Sequence, residues 1–159
     1  MKIGLISDTH GHLDPRIAAL FAGVGHILHA GDIGGEPLLG ELRAIAPVTA
    51  VLGNTDGHLR DHGIRDVERR ALGGKTFLVI HAGRPHGLTE DVRRMIFDGE
   101  KPDVVVFGHT HQPERIVENG VVFVNPGSAS RPRMHHPATV AIAEIHADGR
   151  LEVHWLKLG

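Results

Sequence analysis

The sequence predicts an α/β protein in which two β-sheets pack face to face with helices on the outside. Three observations predict it. Short apolar runs of strand type alternate with amphipathic segments of helical spacing through the first half of the chain. Two-residue turn signals of hairpin type divide the second half. The 159 residues show no internal repeat, low-complexity tract or linker, so they fit a single domain, 1–159, large enough to bury a core.

Residues 2–7 read as a buried first strand. In 13–22 the apolar residues Leu13, Ile17, Leu20 and Phe21 have helix spacing, and Asp14-Pro15 fits a cap followed by proline in the first turn. Residues 26–30 are a second strand, 36–45 a second helix with Leu38, Leu39, Leu42 and Ile45 inward, and 48–52 a third strand. Periodicity is poor over 57–72, where helix and strand both remain open. Gly73-Gly74 is a hairpin turn that favours a strand before it and another at 76–80. Residues 89–97 predict a helix with Thr89 as N-cap and Glu90 and Asp91 in the favourable first turn. Residues 104–107 are a buried strand. Asn119-Gly120 joins strands 115–118 and 121–125 as a type I′ turn, and Asp148-Gly149 joins 139–146 and 151–158 as a second such hairpin.

Composition narrows the chemistry. Seventeen basic against nineteen acidic residues leave a net charge of −2, which argues against a long nonspecific DNA-binding face. The absence of cysteine removes disulfides and thiolate metal sites. Histidine is abundant at 14, while Tyr is absent and Trp occurs once. No apolar segment reaches 18 residues, and the apolar start is short for a signal peptide, so a soluble cytoplasmic protein with no membrane partner is expected.

Acid, amide and imidazole residues follow the strands: Asp8-Thr9-His10, Gly31-Asp32, Gly53-Asn54, His81 and Gly108-His109-Thr110-His111. In open α/β sheets, ligands gather beyond the carboxyl ends of strands. In a strand running on into a loop, residues i and i+2 face the same side, so Asp8 and His10 can serve one ion. A carboxylate can bridge two cations where imidazole cannot, which makes Asp32 the bridging candidate. Gly53-Asn54-Thr55-Asp56-Gly57 is also ordinary turn chemistry, with Asp56 able to support the loop. A single histidine such as His81 is commonly a hydrogen-bonded core residue. Two imidazoles as close as His109 and His111 repel once protonated, and a cation between them is the economical partner. Together these residues suffice for two divalent ions, and two ions about 3.5–4 Å apart are a device for attacking phosphate esters.

In this order and spacing the motifs resemble those of the calcineurin-like metallophosphoesterase superfamily. Asn125-Pro126-Gly127-Ser128 resembles a loop of its small single-domain phosphodiesterase branch, the YfcE-like group. The resemblance implies a four-layer α/β/β/α sandwich of two mixed sheets and a dinuclear centre. By the same resemblance Asp8, His10, Asp32 and His111 would hold one metal, and Asp32, Asn54, His81 and His109 the other. Manganese comes first among the ions, with Ni, Fe, Zn, Co and Mg as alternatives.

The reaction this implies is hydrolysis of a small phosphoester, with catalysis placed on Asp32, Asn54 and His109. Arg84, Arg131 and Arg133 are offered as phosphate contacts. Many members carry histidine directly after Gly-Asn. Here that position is Thr55, which leaves the proton donor among His12, His58, His86 and His135. The alternatives are a phosphomonoesterase, a nuclease, and a non-catalytic scaffold like the retromer subunit of this fold. Few aromatic stacking platforms weigh against the nuclease. Patchy apolar loops are compatible with a homo-oligomer.

Overall fold

In strand β1 (Lys2–Ile6), alternate side chains enter two different cores. Ile3 and Leu5 face a second sheet, while Ile6 faces the helices, and a strand that must satisfy both sides reads as a continuous apolar run. The computed structural model describes residues 1–133 and 135–159. Their order is β1, α1 (Ile17–Leu20), β2 (His26–His29), α2 (Glu36–Arg43), β3 (Val48–Ala50), a 3₁₀ turn (Gly57–His62), β4 (Val67–Leu72), β5 (Lys75–Ile80), a second 3₁₀ turn (Pro85–Gly87), α3 (Glu90–Phe97), β6 (Val104–Val106), β7 (Pro113–Glu118), β8 (Val121–Pro126), β9 (Thr139–Ile145) and β10 (Leu151–Lys157).

The strands form two five-stranded mixed sheets, ordered β10-β9-β1-β2-β3 and β4-β5-β6-β8-β7. In the first, β1, β2 and β3 are parallel; in the second, β5, β6 and β8 are. Leu28, Val51, Phe77, Val106 and Ala141 pack between the sheets. Ile17 of α1, Phe21 just after it, and Leu38, Leu39 and Leu42 of α2 cover the outer face of the first sheet, and Ile96 of α3 covers the second with Leu78, Val105 and Phe123. The architecture is therefore α/β/β/α, as the resemblance implied.

Three local expectations shift. The first helix shrinks from 13–22 to Ile17–Leu20. Asp14 accepts from the Arg16 backbone N–H at 2.9 Å and binds the Arg16 guanidinium, which holds 14–16 as a turn. The open stretch 57–72 becomes a 3₁₀ turn followed by β4. Asn119 and Gly120 both take positive φ, 51° and 80°, as a type I′ turn requires. At Asp148-Gly149 only Gly149 does, at 87°; its N–H donates to His146 O, giving a longer loop with a bulge glycine.

Candidate metal centre

All six parallel strands end at one edge, and the loops that leave them bring the predicted residues together. Beyond β1 and β2 the chain does not stay extended. Asp8 N–H donates to Gly31 O at 2.9 Å, His10 N–H to Asp32 O at 2.9 Å and Gly11 N–H to Ile33 O at 2.8 Å, so the two loops are zipped to each other. Five candidate ligands take left-handed backbone conformations: Asp8 (φ 54°), His10 (48°), Asp32 (54°), His109 (71°) and His111 (62°). Such conformations cost about 1–3 kcal/mol each and persist where the surroundings over-determine them. Asp8 and His10 thus converge through left-handed turns rather than through strand alternation.

Asp8 is fully buried, and its two oxygens have different environments. Oδ2 accepts from Ser7 Oγ at 2.7 Å and from the His109 N–H at 3.2 Å. Oδ1 has no hydrogen-bond partner and lies 3.2 Å from His111 Nε2 and 4.0 Å from both His10 Nε2 and His81 Nε2. Asp32 is divided in the same way. Its Oδ1 accepts from Thr55 N–H and Thr55 Oγ1, both at 3.1 Å, while Oδ2 faces His81 Nε2 at 3.5 Å and His10 Nε2 at 3.8 Å.

The far sides of the imidazoles fix what faces inward. His81 Nδ1 donates to Ala30 O at 2.7 Å, and His111 Nδ1 donates to Arg131 O. In the neutral ring this leaves Nε2 as a bare lone pair. Bare nitrogens and carboxylate oxygens, all acceptors, then face one another across a buried gap; the Nε2 atoms of His10 and His81 have no partner. Burial pushes the His10 pKa down and favours its neutral form, against the pull of Asp32 and Asp8. Burial also raises Asp32, but the Thr55 hydrogen bonds and the His81 and His10 imidazoles outweigh it and hold the carboxyl below its usual range. The donor set fits divalent cations: one atom from each of Asp8, His10, Asp32 and His111 lies within 4.8 Å of all the others.

Several of the remaining predicted residues border this gap. His109 packs edge-on against His81, ring centroids 5.2 Å apart, and His10 lies 5.4 Å from His111. Asn54, Arg131 and Arg133 line a cleft of about 400 Å³ with His10, Asp32 and His109. Arg84 stands apart from it, on a neighbouring cavity, with its guanidinium bidentate on Glu114 (Nη2–Oε1 2.9 Å, Nε–Oε2 3.1 Å). Of the candidate proton donors, His86 lines that neighbouring cavity.

The supporting residues were harder to read. Asp56 is fully buried and gathers three backbone N–H groups, from Ile33 (2.9 Å), Gly53 (2.9 Å) and Gly34 (3.1 Å), clamping the second and third ligand loops together. His29 accepts the Gly31 N–H at Nδ1, so its Nε2–H donates to Thr9 Oγ1, which donates to Ile33 O at 2.8 Å. Burial pushes the His29 pKa down to about 3, so the ring stays neutral. Ser128 and Ser130 both donate to Asp8 O, at 2.9 and 2.8 Å. A histidine inside an apolar strand carries no sequence signal for such a role, whereas buried Asp at a turn does.

The chain as a whole resembles known proteins. The model of the calcineurin-like phosphoesterase superfamily domain matches residues 1–148. A probable metallophosphoesterase of Methanothermobacter thermautotrophicus is 36% identical over 150 residues, covering 89% of this chain and 85% of the relative. A phosphodiesterase of Methanocaldococcus jannaschii is 32% identical over 146 residues, covering 80% and 83%. The crystal structure of a Vps29 single mutant from Entamoeba histolytica shares the fold, with a TM-score of 0.74, 22% identity and full coverage of both chains.

Proposed function

The chain belongs to the calcineurin-like phosphoesterase superfamily, and from that membership we propose that it is a phosphodiesterase working with two divalent metal ions, manganese first among them. One observation carries the reading. The unpaired Oδ1 of buried Asp8 lies 3.2–4.0 Å from the inward Nε2 atoms of three histidines, two of which, His81 and His111, have Nδ1 committed to a carbonyl, an arrangement that a cation resolves. Asp8, His10, Asp32 and His111 would hold one ion, and Asp32, Asn54, His81 and His109 the other. When bound, such a pair lowers the pKa of water toward neutrality and stabilises charge on phosphoryl oxygens.

The chain's own residues do the positioning. Thr55 fixes one oxygen of Asp32 and leaves the other inward. Ala30 O and Arg131 O orient His81 and His111, as second partners of metal-ligating imidazoles do. Arg131 and Arg133 border the cleft where a phosphate would lie, and guanidinium suits its geometry. Arg84, neutralised by Glu114, is better suited to shaping the neighbouring cavity than to holding phosphate.

The test is turnover of bis(p-nitrophenyl) phosphate by protein loaded with Mn, Ni, Zn or Mg. Asp32→Asn and His109→Ala should lose activity by about 100-fold or more while circular dichroism stays that of the parent. Undiminished activity of either variant, or of the chelator-treated parent, rules the reading out. Tight metal binding without turnover of any phosphoester points instead to a scaffold of this fold.

A further inference from the structure

A second cavity, of about 340 Å³, adjoins the metal cleft at His109 and is walled on its far side by Ala82, Arg84, His86 and Gly87. That wall is held from three directions. Gly87 N–H donates to Arg84 O at 2.9 Å, Pro85 O accepts from Arg93 Nη1 at 3.2 Å, and the Arg84 guanidinium grips Glu114 on β7. The ion pair with Glu114 cancels the charge of Arg84. Among the described residues no carboxylate pairs with Arg131 or Arg133, so guanidinium charge without a counter-ion there sits beside the metal cleft and not in this cavity. The cleft suits phosphate, and its neighbour suits an uncharged organic group; a volume of this size falls within the range of small-molecule sites.

The proton inventory points the same way. His10, His109 and His111 of the cleft all belong to the proposed ligand set. Thr55 is committed to Asp32, and the Thr110 hydroxyl, like any aliphatic alcohol, is too weak an acid to protonate a leaving oxygen near neutrality. Among the described residues lining the two cavities, His86 is the imidazole that lies outside the ligand set.

Resting on the phosphodiesterase reading, we propose that this second cavity is the leaving-group subsite, taking the uncharged aryl- or nucleoside-sized alcohol portion of a diester, and that His86 delivers the proton to its departing oxygen. A water oxygen forms the new P–O bond and releases its proton to solvent. The electron pair of the old P–O bond passes to the leaving oxygen, which takes a proton from protonated His86, and solvent then recharges the ring.

Gly87 provides a clean probe. Its backbone lies outside the left-handed region and a Cβ there meets nothing within 4 Å, so a side chain can start from this position without strain, and Gly87→Phe adds bulk at a residue that lines the cavity. Manganese-loaded parent, Gly87→Phe and His86→Gln proteins are compared on diphenyl phosphate and bis(p-nitrophenyl) phosphate, with manganese affinity and inhibition by inorganic phosphate as controls. Gly87→Phe should lower kcat/KM on both esters by about tenfold or more and leave both controls within about twofold. His86→Gln should cost about 100-fold on diphenyl phosphate and under about threefold on the nitrophenyl ester, whose leaving group departs without a proton. Turnover indifferent to Gly87→Phe, weakened controls, or equal His86→Gln losses on the two esters overturn the subsite. A parent that hydrolyses neither ester with any divalent ion sinks the phosphodiesterase reading and this inference together; an active parent with indifferent variants overturns the subsite alone.

Discussion

Asp8 commits one carboxylate oxygen to Ser7 and the His109 backbone and presents the other bare to three imidazoles. A buried, unpartnered charge is a stability cost of about 1–3 kcal/mol or more, retained where function requires it. Asp8→Asn replaces that charge with an amide that can donate to His111 Nε2, now 3.2 Å from Asp8 Oδ1. The metal-free variant should therefore melt at a higher temperature than the metal-free parent, by a few degrees for about 1 kcal/mol. It should also lose the upward shift that manganese gives the parent. Melting curves with and without manganese check both halves. A variant that is less stable than the parent without metal would mean that Asp8 is held by structure and not for a ligand. Thr55 complements Asp8, because its N–H and hydroxyl together fix one oxygen of the Asp32 carboxylate.

At the scale of elements, the close approach of loops to one another explains the Gly-Asn and Gly-His pairs. A Cβ on Gly108 would lie 2.0 Å from Ser7 Oγ and 2.7 Å from Asp8 Oδ2, and one on Gly53 would lie 2.2 Å from Asp32 Oδ1. Gly108→Ala should thus push β6's exit loop away from β1's and weaken manganese binding by about 10–100-fold, readable by calorimetry. Unchanged affinity would show that the loops yield without disturbing the ligands. The same elements show what was legible in the sequence. Gly73-Gly74 and Asn119-Gly120 specified two-residue hairpins because a primed turn fits the strand twist, whereas Asp148-Gly149 marked its hairpin but not the longer loop that closes it. The strand ends were legible because buried parallel strands are uninterrupted apolar runs. The first helix was overdrawn because Asp14 found Arg16 locally, a competition that periodicity does not register. The left-handed ligand loops were invisible for a different reason. Asn, Asp and His tolerate that conformation, but only tertiary hydrogen bonds such as His10 N–H to Asp32 O enforce it.

Across the whole molecule, both of the face-to-face sheets send candidate ligands from their strand ends: Asp8, His10, Asp32 and Asn54 leave the first sheet, while His81, His109 and His111 leave the second. Without metal, the response of that region to acid follows from the environments of the groups that its packing shifts. His29, pushed down to about 3, and His10, lowered by burial, both bind protons less readily when folded than their ordinary 6.5. For such groups the unfolded chain takes up protons first. Their stabilising contribution is complete above pH 6.5 and drains away as pH falls toward the folded value. Asp32, also lowered, acts in the same direction but only below about pH 4, so the histidines govern the weakly acidic range. The urea midpoint of the metal-free protein should hold steady from pH 8 to 7 and fall below pH 6.5, with His29 contributing up to about 1.4 kcal/mol per pH unit and His10 acting in the same direction. His29→Gln keeps a donor for Thr9 and an acceptor for Gly31 while removing the titration. Its curve should be shallower between pH 6 and 4.5 by about one proton's worth of slope, even if its stability at neutral pH is lower. Parallel curves for parent and variant would show that His29 accepts its proton in the folded protein without strain, and that acid loosens the fold elsewhere.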